Sequence, residues 1–263
     1  MKVLLTGSNT AFGAALAAHL NEQEGCELLL TDRTEQPGDP RTRLSAPFFL
    51  SELDDSESTH RLLEGVDQII HVEPLSDSLP LEDDGWCDIS ARCTYNLLHA
   101  ASELGISRCI CLSSMDVFNS VSTDYVTPGP NWAARPRPIP TELGPHLAEF
   151  VCREFASAAA IPIAIARIGA PVDDLTATPL ADRPRYWVAT QSAIDQVTSL
   201  LFQLPPPPEA GNGNSGFFIG GGVANMYHPH RQNFAISHAV DQELGGLEPL
   251  PLPPIVPTGA IFY

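Results

Sequence analysis

The sequence predicts a doubly wound α/β protein, a parallel sheet of Rossmann type with helices on both faces and a small C-terminal lobe. Three observations point there. Short apolar runs alternate with longer amphipathic ones, a glycine-containing turn follows the first run, and an aspartate closes the second. Six runs read as strands: Lys2 to Thr6, Glu27 to Thr31, Phe48 to Ser51, Gln68 to Val72, Arg108 to Ser113 and Pro162 to Arg167. Helices fall between them, at Ala11 to Asn21, Ser56 to Glu64, Cys87 to Leu104 and Leu143 to Ala156. In "LLHAASELG" the spacing puts Leu97, Leu98 and Ala101 on one face, and Gly105 stops the helix.

Beyond the sixth strand the pattern thins. Gln191 to Gln203 reads as a helix ended by Pro205 to Pro208, Phe217 to Ile219 as a short strand, and Ser237 as the cap of a helix to Leu244. The tail "LEPLPLPPIVPTG" suits neither a helix nor a central strand, because its prolines remove backbone donors. No internal repeat breaks the chain. The expectation is one domain over 1–263, with about 170–263 forming a reduced lobe on and after the sheet.

With 263 residues, 43% of them hydrophobic, the chain can bury a sizeable core. Its 32 acidic residues against 14 basic ones give a formal charge of −18, which makes phosphate backbones and anionic lipid poor partners. Neither nucleic acid nor membrane is expected as a partner. Gly7, Ser8 and Asn9 cut the first apolar run well short of a signal-peptide core, and no later run approaches the ~18 apolar residues of a membrane span. The cytoplasm is the expected location. Six cysteines occur without a C-x-x-C pair and mostly within apolar runs, so they read as reduced core thiols.

The stretch "LLTGSNTAFGAAL" carries the first functional signal. Gly7 permits a tight turn, Gly13 lets a helix approach the sheet, and the amides that open the helix suit a pyrophosphate. Asn9, Thr10, Ala11 and Phe12 complete the loop. Asp32, at the end of the second strand, suits a ribose diol and so favours NAD over NADP, although Arg33 beside it could accommodate a 2′-phosphate. A plain βαβ turn with a surface aspartate would share this pattern.

Set on these residues, the chain resembles the extended short-chain dehydrogenase/reductase family, the NAD-dependent epimerases and dehydratases. Thr6, Gly7 and Gly13 match its T-G-x-x-G-x-x-G loop, with Thr10 in place of one glycine. "SELDD" resembles the adenine-contacting stretch, with Glu52 for the usual aspartate and Leu53 after it. "GVDQIIHVEP" is similar to the strand ending H-x-A-A, where Val72, Glu73 and Pro74 would reach the cofactor. "CICLSSMDVF" matches the S-S-x-x-V-Y strand with Ser113 and Ser114, and "ARIGAPV" the R-x-x-N-P-V segment with Ile168. The resemblance implies NAD as cofactor, a sugar-like small molecule as substrate, and a homodimer packed through Cys87 to Leu104 and Leu143 to Ala156.

It also implies a tyrosine as acid/base, with a lysine four residues later. The lysine is needed because an unperturbed tyrosine, pKa ~10, is a poor base near neutrality. Aligning Glu149 of "EFVCREFA" with the family's glutamate puts Thr141 at the tyrosine and Pro145 at the lysine. Lys2, the only lysine in the chain, starts the first strand, at the wrong end of the sheet. Tyr125 with Arg135 or Arg137 offers a substitute pairing, Asp116 a relocated acid, and Ser114 alone fits the catalytic serine. Ser90, Phe118 and Ala170 are further departures on the substrate side. His228, His230 and His238 lack metal-ligand spacing, and no metal is expected.

Three functions remain open. The first is a dinucleotide-binding protein without Tyr–Lys catalysis, acting in redox sensing, as a scaffold or as a partner subunit. The second is an active dehydrogenase or epimerase with a relocated acid/base. The third is a structural interaction protein with a vestigial site and no bound nucleotide.

Overall fold

The computed structural model describes residues 1–35, 44–72, 85–120, 128, 132–158, 160–173 and 184–202, and the backbone of 223–226 and 228–229. In chain order the elements are β1 (Lys2–Leu5), α1 (Ala11–Asn21), β2 (Glu27–Asp32), β3 (Phe48–Leu50), α2 (Ser56–Leu62), β4 (Gln68–Val72) and α3 (Gly85–Asp88). A π turn over Ile89–Cys93 leads into α4 (Thr94–Glu103), followed by β5 (Arg108–Ser114) and a 3₁₀ turn at Met115–Phe118. Then come α5 (Pro140–Ser157), β6 (Ile163–Ile168), β7 (Ala170–Val172), β8 (Tyr186–Ala189), α6 (Thr190–Phe202), β9 (Val223–Met226) and β10 (His228–Pro229).

Seven parallel strands form the main sheet in the order β3-β2-β1-β4-β5-β6-β9, so the winding reverses between β1 and β4. In open sheets of this kind ligands bind at that reversal, outside the carboxyl ends of the strands. The apolar strand sequences are buried on both faces, and their alternation sorts them into two layers. Val3, Leu5, Ile70 and Leu112 pack with Leu16 and Leu20 of α1 and Ile194 and Val197 of α6. Leu4, Ile69, Cys109 and Cys111 pack with Leu97, Leu98 and Ala101 of α4 and Cys152 of α5. Four cysteines are therefore core residues, Cys26 and Cys87 are half-buried, and all six are free thiols.

All six expected strands and the helices between them are present, with ends shifted by a few residues. Three differences have physical causes. The single helix expected over Cys87 to Leu104 starts at Gly85 and is interrupted by the π turn, which periodicity over one window cannot reveal. Helix α5 begins three residues earlier than expected, because Pro140 suits a first helical turn, whose amides lack intrahelical partners in any case. Residues from 170 onward divide their allegiance: β9 extends the main sheet beside β6, whereas β7, β8 and β10 build a separate three-stranded sheet. The expected strand at Phe217 to Ile219, the helix capped by Ser237 and the proline-rich tail lie outside the described residues. No helix among the described residues is long and apolar enough to cross a membrane.

A fully buried ion pair joins β6 to α5. Arg167 of β6 donates from Nε and Nη2 to the two oxygens of Glu149, each at 2.7 Å, and both residues have no exposed side-chain surface. Ser113 of β5 donates to Glu149 Oε1 at 2.7 Å, Arg153 donates to Oε2 at 2.9 Å, and the Arg167 guanidinium lies 4.9 Å from the Phe118 ring centre. Removing one partner of such a pair strands a buried charge. Arg167→Met should lower stability in urea unfolding by about 3–5 kcal/mol, and the double substitution Arg167→Met with Glu149→Leu should recover part of that loss.

Candidate functional site

The loop between β1 and α1 is set by two close approaches. Gly7 has a φ of +60°, and a Cβ there would lie 2.8 Å from the Val72 carbonyl oxygen of β4. A Cβ on Gly13 would fall 2.1 Å from the Gly7 carbonyl oxygen, so only glycine lets α1 sit this close to the strand end. Thr10, which stands where the resembled family has its middle glycine, turns its side chain inward as the cap of α1. Its hydroxyl donates to the Gly7 carbonyl at 2.8 Å and accepts from the Gly13 amide at 3.0 Å. The Gly13 amide is thus taken by Thr10, and the amides of Ala11 and Phe12 are left without a partner among the described residues.

At the end of β2 the Asp32 carboxylate is buried and already accepts three hydrogen bonds. Oδ2 takes the Asn9 amide at 2.9 Å, and Oδ1 takes the Thr34 amide at 3.0 Å and its hydroxyl at 2.9 Å. It braces the glycine loop against β2 and keeps spare acceptor capacity on Oδ2. Arg33 beside it approaches Glu52 at 3.7 Å, and its Nη1 is buried with no acceptor among the described residues. Leu53 adopts a left-handed φ of +57°, a conformation that costs a non-glycine residue about 1–3 kcal/mol. It is held by Ser51 Oγ, which accepts from its amide, and by Asn96, which donates to its carbonyl.

These elements border an open cleft at the reversal, lined by Gly7, Asp32, Arg33, Glu52, Leu53 and Val72 among others. The sequence reading named Thr6 in the loop motif and missed five of the other lining residues: Thr31, Ser51, His71, Ile89 and Cys93. His71 was visible as the one polar residue in the apolar run "IIHV", since a histidine inside a buried strand needs partners. It finds them in the Thr6 hydroxyl, 2.8 Å from Nδ1, and the Thr94 hydroxyl, 3.0 Å from Nε2. Burial lowers its pKa to about 4. Burial also pushes the Cys93 thiol up to about 11, so it contributes an uncharged wall.

The other expected site residues lie elsewhere. Ser113 commits its hydroxyl to Glu149, Ser114 accepts the Asp116 amide at 3.0 Å to cap the 3₁₀ turn, and Ile168 is buried in the core layer behind β6. Asp116 accepts from Asn119 at 3.0 Å. Arg137 donates to Glu142 from its amide and guanidinium. Burial alone would raise the Glu142 carboxyl, but these bonds outweigh it and hold the group below the usual carboxylate range. Thr141 is exposed, and Pro145 is buried within α5, where its missing N–H leaves the Thr141 carbonyl without its intrahelical donor. Glu73, Pro74, Tyr125 and the side chains of His228, His230 and His238 lie outside the described residues.

Two outcomes follow. Thr10→Ala removes the cap and should lower the unfolding free energy by about 1 kcal/mol in a urea titration. His71 has its pKa depressed from 6.5 to about 4 on folding, so the unfolded chain takes up this proton more readily. Its contribution is complete above pH 6.5 and is lost as pH falls toward 4, by about 1.4 kcal/mol per pH unit. Urea midpoints of His71→Asn should therefore fall less steeply across that window than those of the unaltered chain.

Residues 3–137 match the family described as "NAD dependent epimerase/dehydratase family". No curated protein matches the sequence. Solved structures share the fold at low identity. A short-chain dehydrogenase/reductase superfamily protein from Agrobacterium tumefaciens with bound NAD is 17% identical, with a TM-score of 0.66 over 88% of this chain and 80% of that one. The UDP-glucose 4-epimerase of Thermus thermophilus, in complex with NAD, is 17% identical at a TM-score of 0.65, covering 95% and 85%. The UDP-glucuronic acid 4-epimerase of Bacillus cereus, also with NAD, is 17% identical at 0.62, covering 87% and 79%. At such identities the structures speak for the fold, and the sequence match speaks for descent: the chain belongs to the NAD-dependent epimerase/dehydratase family.

Proposed function

We propose that this chain binds a nicotinamide dinucleotide in the cleft at the strand reversal and lacks the Tyr–Lys route to hydride transfer, serving in redox sensing, as a scaffold or as a partner subunit. The free Ala11 and Phe12 amides would hold the pyrophosphate, and Asp32 and Glu52 the hydroxyls and amine of the adenosine. When bound, a nicotinamide supplies a hydride donor or acceptor. The observation that carries the reading is Pro145. It occupies the helical position aligned with the lysine, it bears no cation, and Lys2 starts β1 at the opposite end of the sheet. A cation is what brings a tyrosine into range for proton transfer near neutrality. Calorimetry with NAD, NADH and NADPH is expected to show NADH binding more tightly than NADPH, because Asp32 repels a 2′-phosphate. Incubation of bound NAD with UDP-glucose, UDP-glucuronic acid or dTDP-glucose is expected to yield no reduced nicotinamide. Reduction by any of them would overturn the reading.

One observation favours a second reading, an active dehydrogenase or epimerase on a sugar-like substrate. Asp116, Asn119, Arg137 and Glu142 cluster beyond the end of β5, with Asp116 adding to the field that raises the Arg137 pKa. In that reading Asp116 is the relocated acid/base, and Asp116→Asn should abolish turnover.

The chain is further proposed to form a homodimer through α4 and α5. Tyr95 is 50% exposed and Phe150 57% exposed on these helices, and Tyr95 stacks on His99 and meets Phe155 edge-on at 5.5 Å. Exposed aromatic side chains on neighbouring helices support the reading of an association face. Sedimentation should give a dimer for the unaltered chain and a monomer for Phe150→Glu, and a monomeric unaltered chain would overturn the proposal.

A further inference from the structure

We infer that Thr34 is a built-in competitor of the ligand at the end of β2: its hydroxyl holds one oxygen of Asp32 as a ribose hydroxyl would, so only one of the two ribose hydroxyls of an adenine nucleotide finds a free acceptor. The inference rests on the proposed nucleotide-binding reading and names a residue that sets affinity within it. A carboxylate offers about four acceptor positions, two on each oxygen. On Asp32, Oδ1 receives the Thr34 amide at 3.0 Å and the Thr34 hydroxyl at 2.9 Å, and Oδ2 receives the Asn9 amide at 2.9 Å. Among the described residues, one position is left, on Oδ2. A vicinal diol that grips a carboxylate places one hydroxyl on each oxygen, and here the second must displace Thr34.

That displacement is local. Asn9 donates from Nδ2 to the Thr34 carbonyl at 2.7 Å and to its hydroxyl oxygen at 3.2 Å, closing a ring of hydrogen bonds between the glycine loop and the bend after β2. The backbone members of that ring, the Thr34 amide on Oδ1 and the Thr34 carbonyl under Asn9, stay in place when the hydroxyl alone turns away. Thr34 is exposed, so a hydroxyl that turns away is met by water, whereas Asp32 is 7% exposed and depends on its partners. The ligand's second hydroxyl therefore exchanges one hydroxyl bond on Asp32 for another and adds little affinity. The first, on Oδ2, adds a bond to a charged acceptor, which strengthens binding by about tenfold or more.

Calorimetry on the full chain with ADP, 2′-deoxy-ADP and 3′-deoxy-ADP gives the affinity lost with each hydroxyl, and the smaller of the two losses is the readout. It is expected to lie under about threefold in the unaltered chain and to rise to about tenfold or more in Thr34→Val, which keeps the amide bond and the side-chain volume but removes the competing hydroxyl. Thr34→Ser, which keeps the hydroxyl, should match the unaltered chain. A smaller loss that rises by less than about threefold between the unaltered chain and Thr34→Val overturns the inference and leaves the nucleotide reading standing, and so does a Thr34→Ser that behaves as Thr34→Val. Failure of ADP to bind either protein overturns the inference, and failure of NADH as well overturns the nucleotide reading. If Thr34→Val does not fold, the unaltered chain decides alone, and a smaller loss above about threefold there overturns the inference.

Discussion

The approach of α1 to the end of β1, so close that a Cβ on Gly13 would come within 2.1 Å of the Gly7 carbonyl oxygen, is the constraint from which the ligand end of this sheet follows. It fixes the start of α1 directly over the reversal between β1 and β4. Once the helix starts there, its first amides and the positive end of its dipole lie at the strand ends, where a negative group is favoured. Thr10 draws on that same resource. By capping Gly13 from within, it converts part of an anion-binding terminus into a self-satisfied one, which stabilises the helix and leaves two donors for a ligand in place of three.

The strand ends thus divide into two electrostatic regimes. Around β1, β2 and β4, polar groups border open space, and Arg33 Nη1 has no acceptor among the described residues. Around β5, β6 and α5, charges are buried in pairs: Glu149 alone receives bonds from Arg167, Arg153 and Ser113. In a low-dielectric interior such a network is stable only while every member is satisfied, so it resists recruitment by a ligand. In this chain the first region borders the open cleft, and the described charges of the second are engaged in the fold.

How much of this the sequence discloses depends on how local the cause is. The strands and helices were legible because burial on two faces or one leaves a period of two or 3.6 that a short window captures. Gly7, Gly13 and Asp32 were legible because their spacing reflects a turn only a few residues long. The inward rotation of Thr10 was not, since its partners are backbone groups whose directions appear only once the loop is folded. The Glu149 and Arg167 pairing joins residues 18 apart through tertiary packing, and neither carries a local mark of burial. Strand β9 follows a long stretch rich in proline and glycine, where periodicity says little, and its place beside β6 is decided by the open edge of the sheet.

The π turn at Ile89–Cys93 has a consequence for how this chain can change over time. A π turn is an α-helix carrying one extra residue, and it survives mostly where that residue serves a site. Here it sits between two faces with different duties: Ile89 and Cys93 border the cleft, and Tyr95 begins the exposed aromatic face of α4. Deleting one residue within the turn would restore a regular helix at no cost in backbone hydrogen bonds, but would rotate everything upstream by about 100° relative to everything downstream. The turn is thus a point where a single codon lost or gained re-phases the cleft against the outer face while both halves of the helix stay intact. A lineage that changed length there would alter the lining of the cleft without unfolding the protein.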